Sequence, residues 1–312
     1  MGVALFHSAP APAPREPTGF FTDTTLCIGC KACEVACKQW NQLPADGYEW
    51  RGTSYDNTHA LSATTWRHVA FAERPCGGDA PAGAGAKPAA PDAAGRGGTA
   101  PFESGAPIRW LMLSDVCKHC ETAPCEQACP TGALIYNEFH NVYVQQDICN
   151  GCGYCVSACP FGVLDRAPSD GRVHKCTLCY DRQKDGLEPA CAKACPTDSI
   201  VFGPVSELRD LARRRLRQVQ ARGENGAYLY GAEPAGEYSA LNAFFLLTDP
   251  PESYNLPASP RRPNAHLPRY YAWAALTATA LAAVATLVFG ANFASAGKPG
   301  RDSGGNGAEG RA

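Results

Sequence analysis

The distribution of cysteines constrains this chain more than any other feature of its sequence. Of its 17 cysteines, all but Cys76 fall into four groups of four. The groups are Cys27, Cys30, Cys33 and Cys37; Cys117, Cys120, Cys125 and Cys129; Cys149, Cys152, Cys155 and Cys159; and Cys176, Cys179, Cys191 and Cys195. A chain of 312 residues can build an apolar core without disulfides, so these thiols are expected to bind metal.

The spacing within each group is typical of thiolate ligands to iron–sulfur clusters. Groups one and three follow C-x2-C-x2-C-x3-C, whereas the middle gap has four residues in group two and eleven in group four. Groups two to four end in Cys-Pro, and Lys38 follows group one. In two-cluster ferredoxins, the fourth Cys of each run ligates the cluster of the other run. Four runs therefore predict two pairs of runs and four [4Fe-4S] clusters.

Zinc sites and disulfides are the alternative uses of so many cysteines. Zinc sites with four thiolates usually consist of two separated C-x2-C pairs, not triplets followed by x3-Cys-Pro. Disulfides would require export, and residues 1–25 show no cationic region, long apolar run or twin arginine of a secretion signal. Both alternatives are weaker than the iron–sulfur interpretation. Cys76 has no partner in the sequence and is expected to be a free surface thiol.

Chain distance predicts how the groups pair. Between groups two and three, apolar runs at 133–136 and 142–144 flank residues 137–141, as in a β-hairpin. This connection is typical of a small two-cluster ferredoxin, so groups one and four are left to pair and to enclose that module. The predicted fold class is α+β, with two ferredoxin-like two-cluster domains, one inserted in the other, plus one C-terminal transmembrane helix.

Composition and cysteine grouping set the predicted domain boundaries. Three segments rich in Gly, Ala or Pro are expected to lack structure: an arm at 1–19, an insertion at 76–107 and a tail at 298–312. The first ferredoxin-like domain spans 20–75 and 170–260, and the second spans 108–169. Outside the hairpin, further short strands are predicted at 66–71, 109–113 and 199–202.

Two longer helices are predicted near the end of the chain. Residues 206–222 carry apolar side chains at helical spacing, begin with Ser206 as a cap and stop before Gly223. The uncharged segment 270–289 is long enough to span a hydrocarbon layer of roughly 30 Å. Aromatic residues stand at its start and Arg269 precedes it, so a transmembrane helix is a better interpretation than a buried core helix.

The sequence gives no support to several function classes. A net charge of −2 provides no field that would attract nucleic acid. No glycine motif for a dinucleotide or a nucleoside triphosphate is present. His119 and His174 lie beside cluster cysteines and are expected to tune local polarity or to meet solvent. Since every grouped thiol is assigned to iron, bond-making chemistry is expected in another subunit.

These features together resemble a family, the iron–sulfur (beta) subunits of membrane-bound molybdenum or tungsten oxidoreductases, and within it the formate dehydrogenase beta subunits. The resemblance covers most of residues 20–290. It rests on CIGCKACEVACKQWN (27–41), DVCKHCETAPCEQACPTGAL (115–134), DICNGCGYCVSACPFGV (147–163), KCTLCYDRQKDGLEPACAKACPTDSI (175–200), LTDPPESYNLP (247–257) and the C-terminal helix. The insertion and the Gly-rich tail depart from the compact pattern of the family.

The resemblance implies a ligand set for each of four [4Fe-4S] clusters. Cluster one takes Cys27, Cys30, Cys33 and Cys195, and cluster two takes Cys37, Cys176, Cys179 and Cys191. Cluster three takes Cys117, Cys120, Cys125 and Cys159, and cluster four takes Cys129, Cys149, Cys152 and Cys155. This is the crossed ligation that the spacing argument predicts for paired runs.

The resemblance also implies a role as an electron-transfer subunit that is not catalytic alone. A molybdenum- or tungsten-pterin alpha subunit would oxidise formate, and a cytochrome b gamma subunit would pass the electrons to quinone. The chain would be a single-pass protein of the cell membrane with its clusters on the extracytoplasmic face, exported through a partner's signal. The alternatives are a subunit of a sulfoxide, polysulfide or nitrite reductase or of a hydrogenase, a soluble redox subunit acting with a flavin or hydrogenase partner, and a metal-stabilised membrane scaffold.

Overall fold

The computed structural model describes residues 16–48, 58, 60–75 and 108–296, with side chains as far as Phe289. Most of the predicted arm, the predicted insertion with Cys76, and the predicted tail lie outside the described residues. The strands are β1 (Thr18–Asp23), β2 (Arg67–Pro75), β3 (Ile108–Val116), β4 (Leu134–Tyr136), β5 (Val142–Val144), β6 (Asp165–Arg166), β7 (Val173–His174), β8 (Ile200–Pro204), β9 (Tyr228–Tyr230) and β10 (Ala243–Leu247). The α-helices are α1 (Ala32–Asn41), α2 (Pro124–Gln127), α3 (Tyr154–Ala158), α4 (Tyr180–Lys184), α5 (Ala190–Lys193), α6 (Val205–Ala221) and α7 (Leu267–Ala296).

A four-stranded sheet joins the beginning and the end of the cysteine-bearing region. Its strand order is β8-β1-β10-β9, with β1 antiparallel to β8 and parallel to β10. Phe20 on β1 pairs with Phe202 on one side and with Ala243 on the other. Strand β1 begins at Thr18, two residues inside the predicted arm. The sheet therefore holds the segment before cysteine group one beside the segment after group four.

Helix α6 covers one face of this sheet. Successive residues of a strand point to opposite faces, and Phe21 and Phe244 belong to the face that α6 covers. Their rings stack with centroids 5.7 Å apart. Leu208 and Val219 of α6 are buried in the same apolar cluster. The opposite face of the sheet, which includes Phe245, belongs to the larger core that contains the cysteines.

The predicted Ser cap of α6 is wrong, although the helix itself lies within one residue of its predicted bounds. Helix α6 begins at Val205, and Pro204 occupies the capping position without a side-chain hydrogen bond to the helix. Ser206 lies inside the first turn, and its hydroxyl donates a hydrogen bond to Glu16. Because Pro204 also ends β8, the chain passes directly from strand to helix with no polar cap.

Among the described residues, three antiparallel hairpins each lie between successive cysteine groups of the chain. The longest is β2-β3, in which Arg67 pairs with Val116. The predicted hairpin between groups two and three is confirmed as β4-β5. In its turn, the side-chain oxygen of Asn137 accepts hydrogen bonds from the backbone N–H groups of Phe139 and Asn141. The third hairpin is β6-β7.

The chain divides into two compact units, Met1–Asn264 and Ala265–Ala312. The predicted mixture of helices and strands is confirmed. Both predicted ferredoxin-like regions lie in the first unit, so the insertion of one domain in the other stays a prediction. In the second unit, residues Leu267–Phe289 of α7 have a mean hydropathy of 1.9 and are not buried. This helix is long and apolar enough to cross a membrane.

Candidate iron–sulfur centres

Each cysteine group contains the same backbone turn. The residue before the second cysteine has a positive φ in all four groups, at Gly29 (66°), His119 (42°), Gly151 (72°) and Leu178 (55°). Left-handed backbone costs about 1–2 kcal/mol for a residue with a side chain. Its presence at His119 and Leu178 indicates that the surrounding structure imposes the turn. The repeat in the sequence is therefore also a repeat in the backbone.

Close packing requires glycine at two of these four positions. A Cβ atom on Gly29 would lie 2.7 Å from Met112 Sδ and from the ring of Phe71. A Cβ atom on Gly151 would lie 2.2 Å from the backbone oxygen of Gly171. Since a backbone oxygen cannot rotate away as a side chain can, Gly151 is the more restricted of the two.

Helix α1 presents the last two cysteines of group one on one face. Cys33 and Cys37 are one helical turn apart and are both buried. Cys33 Sγ lies 3.2 Å from the hydroxyl of Ser114 on β3. The side-chain amide of Asn41 lies 3.7 Å from Cys37 Sγ and donates a hydrogen bond to the Cys37 carbonyl. A polar group thus lies beside each of these two sulfur atoms.

The cysteines predicted for clusters one and three each line a single cavity. The lining of the first cavity includes Cys27, Cys30, Cys33 and Cys195. The lining of the second includes Cys117, Cys120, Cys125 and Cys159. In the part of the chain that the structure describes, no three His, Cys, Asp or Glu side chains are close enough to hold a single metal ion. Each cavity joins three cysteines of one group to the fourth cysteine of another.

The cysteines predicted for clusters two and four lie close enough for the charge of one thiolate to act on another. The thiols that act on Cys37 are Cys176, Cys179 and Cys191, and those that act on Cys155 are Cys129, Cys149 and Cys152. Burial, followed by the neighbouring thiolates, raises the pKa of Cys37 and raises the pKa of Cys155 to about 11. Each of these two sets also combines different groups.

The donor chemistry of these sets fits [4Fe-4S] clusters. Burial raises the pKa of Cys176 to about 12 and the pKa of Cys179 to about 11, so both thiols keep their protons at neutral pH without metal. Cationic iron favours the thiolate form, so cluster binding displaces these protons. Soft thiolate sulfur is the ligand that iron–sulfur clusters take. The residues present would therefore hold the clusters that the spacing predicts.

Four buried cations among the described residues lie close to the cysteines and were not predicted from the sequence. Arg67, Lys118, Lys175 and Arg182 expose only 2%, 1%, 2% and 7% of their surface. The two lysines are adjacent in sequence to Cys117 and Cys176, and that adjacency was a usable signal. Arg67 had no such signal, because the β2-β3 hairpin brings it to the cysteines from a distant part of the chain.

His119 is fully buried, so contact with solvent is excluded for this residue. Burial, followed by the positive charges of Lys175 and Arg67, lowers the pKa of His119 well below its ordinary value and keeps the ring neutral. Neither ring nitrogen has a hydrogen-bond partner among the described residues. His174 is partly exposed, and its Nε2 lies 3.0 Å from Asp170.

Known protein families assign the same kind of site to this chain. A 4Fe-4S dicluster domain matches residues 108–205, and a 4Fe-4S binding domain matches residues 24–40. All sixteen grouped cysteines lie within these two matches. The fold and the site therefore define a protein that binds [4Fe-4S] clusters for electron transfer.

Comparison with individual proteins narrows this class. The nitrate-inducible formate dehydrogenase iron–sulfur subunit of Escherichia coli (strain K12) is 37% identical over 243 residues, which cover 77% of this chain and 72% of the relative. The formate dehydrogenase iron–sulfur subunit of Haemophilus influenzae is 36% identical over 259 residues, which cover 81% of this chain and 73% of the relative. The protein belongs to the family of formate dehydrogenase iron–sulfur subunits. Its members transfer electrons and are not catalytic alone.

A more distant relative belongs to a different reductase. A subunit of the anaerobic dimethyl sulfoxide reductase of Escherichia coli (strain K12) is 32% identical over 196 residues, which cover 61% of this chain and 75% of the relative. Both kinds of relative support electron transfer within a molybdopterin oxidoreductase as the role of this chain.

Proposed function

We propose that this chain carries four [4Fe-4S] clusters and relays electrons one at a time between two partners. A molybdenum- or tungsten-pterin subunit that oxidises formate supplies the electrons, and a membrane cytochrome b passes them to quinone. The observation that carries this proposal is that cysteines of different groups line the same cavities and act electrostatically on one another.

The proposed ligands follow the crossed pattern. Set one is Cys27, Cys30, Cys33 and Cys195; set two is Cys37, Cys176, Cys179 and Cys191; set three is Cys117, Cys120, Cys125 and Cys159; and set four is Cys129, Cys149, Cys152 and Cys155. The shared cavities support sets one and three, and the mutual effects of the thiolates support sets two and four.

Electrostatic effects between cysteines of different proposed sets support a linear order of the four clusters. The thiols of successive sets that act on each other electrostatically are Cys33 and Cys191, Cys176 and Cys117, and Cys125 and Cys155. The first pair links sets one and two, the second links sets two and three, and the third links sets three and four. An electron that enters at one end of this row therefore has a neighbouring cluster at each step.

The pattern of exposure supports entry and exit at the ends of the row. Of the sixteen grouped cysteines, only Cys30 in set one and Cys152 in set four are exposed. All of set two is buried, and Cys159 is the one partly exposed member of set three. Partners can approach sets one and four, whereas the protein shields sets two and three from solvent.

The protein's own residues hold the clusters and adjust their surroundings. Each bound cluster supplies storage for one electron at a time. Apolar side chains such as Leu113 and Leu178, both fully buried, exclude water from the core around the thiols. The backbone N–H of Leu178 donates a hydrogen bond to Cys176 Sγ at 3.3 Å. Such hydrogen bonds stabilise negative charge on sulfur and so raise the reduction potential of a cluster.

We further propose that α7 spans the membrane and docks on the cytochrome. Alanine is its commonest residue over 270–289, and small residues let helices approach closely in lipid. The hydroxyls of Thr277, Thr279 and Thr286 donate hydrogen bonds to carbonyls of their own helix, which satisfies them in an apolar surrounding. Residues 270–289 contain no His, so the partner must supply any haem ligands. The family resemblance favours the extracytoplasmic face for the clusters.

A second candidate is an electron-transfer subunit of a sulfoxide reductase, which the relationship to the dimethyl sulfoxide reductase subunit favours. That relative matches 61% of this chain, whereas the formate dehydrogenase subunits match 77% and 81% with higher identity. The formate dehydrogenase assignment therefore accounts for more of the chain.

The experiment for this proposal is formate-driven reduction in the membrane complex, together with truncation of α7. Formate should reduce the iron–sulfur centres of the complex, and the isolated subunit should reduce no dye with formate. Deletion from Arg269 onward should release a cluster-bearing subunit, stop quinone reduction and leave dye-linked formate oxidation by the complex intact. Quinone reduction at the full rate after this deletion would exclude the docking role of α7. Centres that respond to a sulfoxide but not to formate would favour the second candidate.

A further inference from the structure

Arg67 is a buried guanidinium group whose hydrogen bonds the protein only partly satisfies. It stands at the start of β2 and is 2% exposed. Its Nη1 donates hydrogen bonds to the hydroxyl of Ser114 at 3.0 Å and to the Ser114 carbonyl at 3.4 Å. Its Nε and Nη2 atoms have no partner in the described part of the chain. A buried charged donor without an acceptor is costly, so these two N–H groups indicate an acceptor other than the described protein groups.

The groups that act on Arg67 electrostatically are cysteines, which take the thiolate form when they bind iron. Burial alone lowers the pKa of Arg67, but four cysteines in their thiolate form outweigh burial and raise the pKa above its ordinary value. These thiolates are Cys191, Cys33, Cys176 and Cys37. Cys33 belongs to proposed set one, and the other three belong to set two. The guanidinium group therefore lies close to cysteines of both of the first two proposed sets.

The position of Arg67 is fixed from several sides. The carbon of its guanidinium group lies 4.7 Å from the centre of the Phe20 ring, which is fully buried. Ser114 accepts its hydrogen bond and also lies 3.2 Å from Cys33 Sγ, so one hydroxyl joins the cation to a ligand of set one. Arg67 and Ser114 lie on paired strands, which limits their relative movement.

We propose that Arg67 is a positioning residue that raises the reduction potentials of clusters one and two together. It holds a permanent positive charge close to both and donates its free N–H groups to their sulfur atoms. This inference rests on the proposed function. Reduction of a cluster adds one electron, breaks no bond and leaves Arg67 protonated. A fixed cation and hydrogen bonds to sulfur stabilise the reduced form, because that form carries one more negative charge.

The test is a redox titration of the anaerobic complex followed by electron paramagnetic resonance. In Arg67→Met, at a fixed applied potential, the ratio of reduced to oxidised cluster should fall at least about tenfold for two centres, which is about 59 mV for a one-electron couple. The other two centres should stay unchanged. Arg67→Lys keeps the charge and should restore part of the lost ratio. Arg74→Met makes the same change in charge on the same strand and should shift no centre, because Arg74 interacts with Ser253 instead of the cysteines.

Iron content separates the possible outcomes. One possible outcome is that Arg67→Met retains the wild-type iron content and that the ratio of reduced to oxidised cluster changes by less than about twofold at every centre. In that case the inference is overturned and the proposed function stands. If the wild-type complex itself has no iron–sulfur centres, both are overturned.

If Arg67→Met loses its iron, a measurement on the wild-type protein still tests the inference. Wild-type complex labelled with ¹⁵N-arginine should show nitrogen coupling to a reduced cluster in pulsed electron paramagnetic resonance. This coupling should persist in labelled Arg74→Met and disappear in labelled Arg67→Lys. Its absence in the wild type, or its persistence in Arg67→Lys, would overturn the inference.

Discussion

The two proposed outer sets of cysteines, sets one and four, and the two proposed inner sets, sets two and three, have similar motifs but different surroundings. Sets one and four each contain an exposed cysteine, and the large apolar residues Ile28 and Tyr154 beside them are also exposed. Sets two and three are enclosed, and the buried Lys175 and Lys118 are adjacent in sequence to their proposed ligands Cys176 and Cys117. The motif therefore determines that a cluster binds, whereas the residues that cover it determine whether a partner can reach it and how easily it is reduced.

The largest difference is expected between replacing an inner ligand and replacing an outer one. Cys176→Ser should remove cluster two, with about four irons fewer per complex, and should abolish formate-dependent quinone reduction, because the relay is broken at a buried step. Cys30→Ser should retain more iron, since solvent can supply an oxygen ligand at this exposed position. Iron analysis and quinone reduction measure both variants. Equal losses of iron in the two variants would remove the distinction between inner and outer sets.

A second pair of variants tests which cysteines belong to the outer set and which to the inner set. Cys195 and Cys191 come from the same group, but the crossed ligation assigns Cys195 to cluster one and Cys191 to cluster two. Cys195→Ser should alter the same spectroscopic centre as Cys30→Ser, and Cys191→Ser should alter the centre shared with Cys37. If Cys195→Ser and Cys191→Ser altered one common centre, each run would hold its own cluster.

A smaller effect is expected from the glycine turn of an outer set. Gly151→Ala places a Cβ atom 2.2 Å from the Gly171 carbonyl oxygen at a positive φ, which should destabilise the protein by about 3 kcal/mol from strain and overpacking. Gly162→Ala is the control, because it has a φ of 60° and no atom within 4 Å, and it should cost about 1 kcal/mol. The temperature at which cluster absorbance is lost should fall further for Gly151→Ala. If this temperature falls equally in both variants, the contact with Gly171 does not affect stability.

The local parts of this fold were predictable from sequence, and the long-range parts were not. The β4-β5 hairpin and helix α6 follow from residues close in the chain, and both formed nearly where predicted. The parallel pairing of β1 with β10 had no signal, since it joins segments more than 200 residues apart. The Ser206 cap failed because Pro204 leads directly from a strand into the helix.

In the candidate site, too, the local features were predictable from sequence and the long-range features were not. The sixteen cysteines were found from their spacing, and the short-range turn around Gly29 and Gly151 could have been inferred from the same repeat. The burial of His119 and the approach of Arg67 depend on how hairpins pack around the cysteines, which no local pattern encodes.

Iron and sulfide analysis of the anaerobically purified subunit, combined with the number of its centres that formate reduces in the complex, tests the central claim most directly. Four sets of four thiolates predict about sixteen irons and sixteen sulfides in this subunit, in four magnetically distinct centres. A reproducible value near eight irons, or zinc in place of iron, would contradict the relay of four clusters.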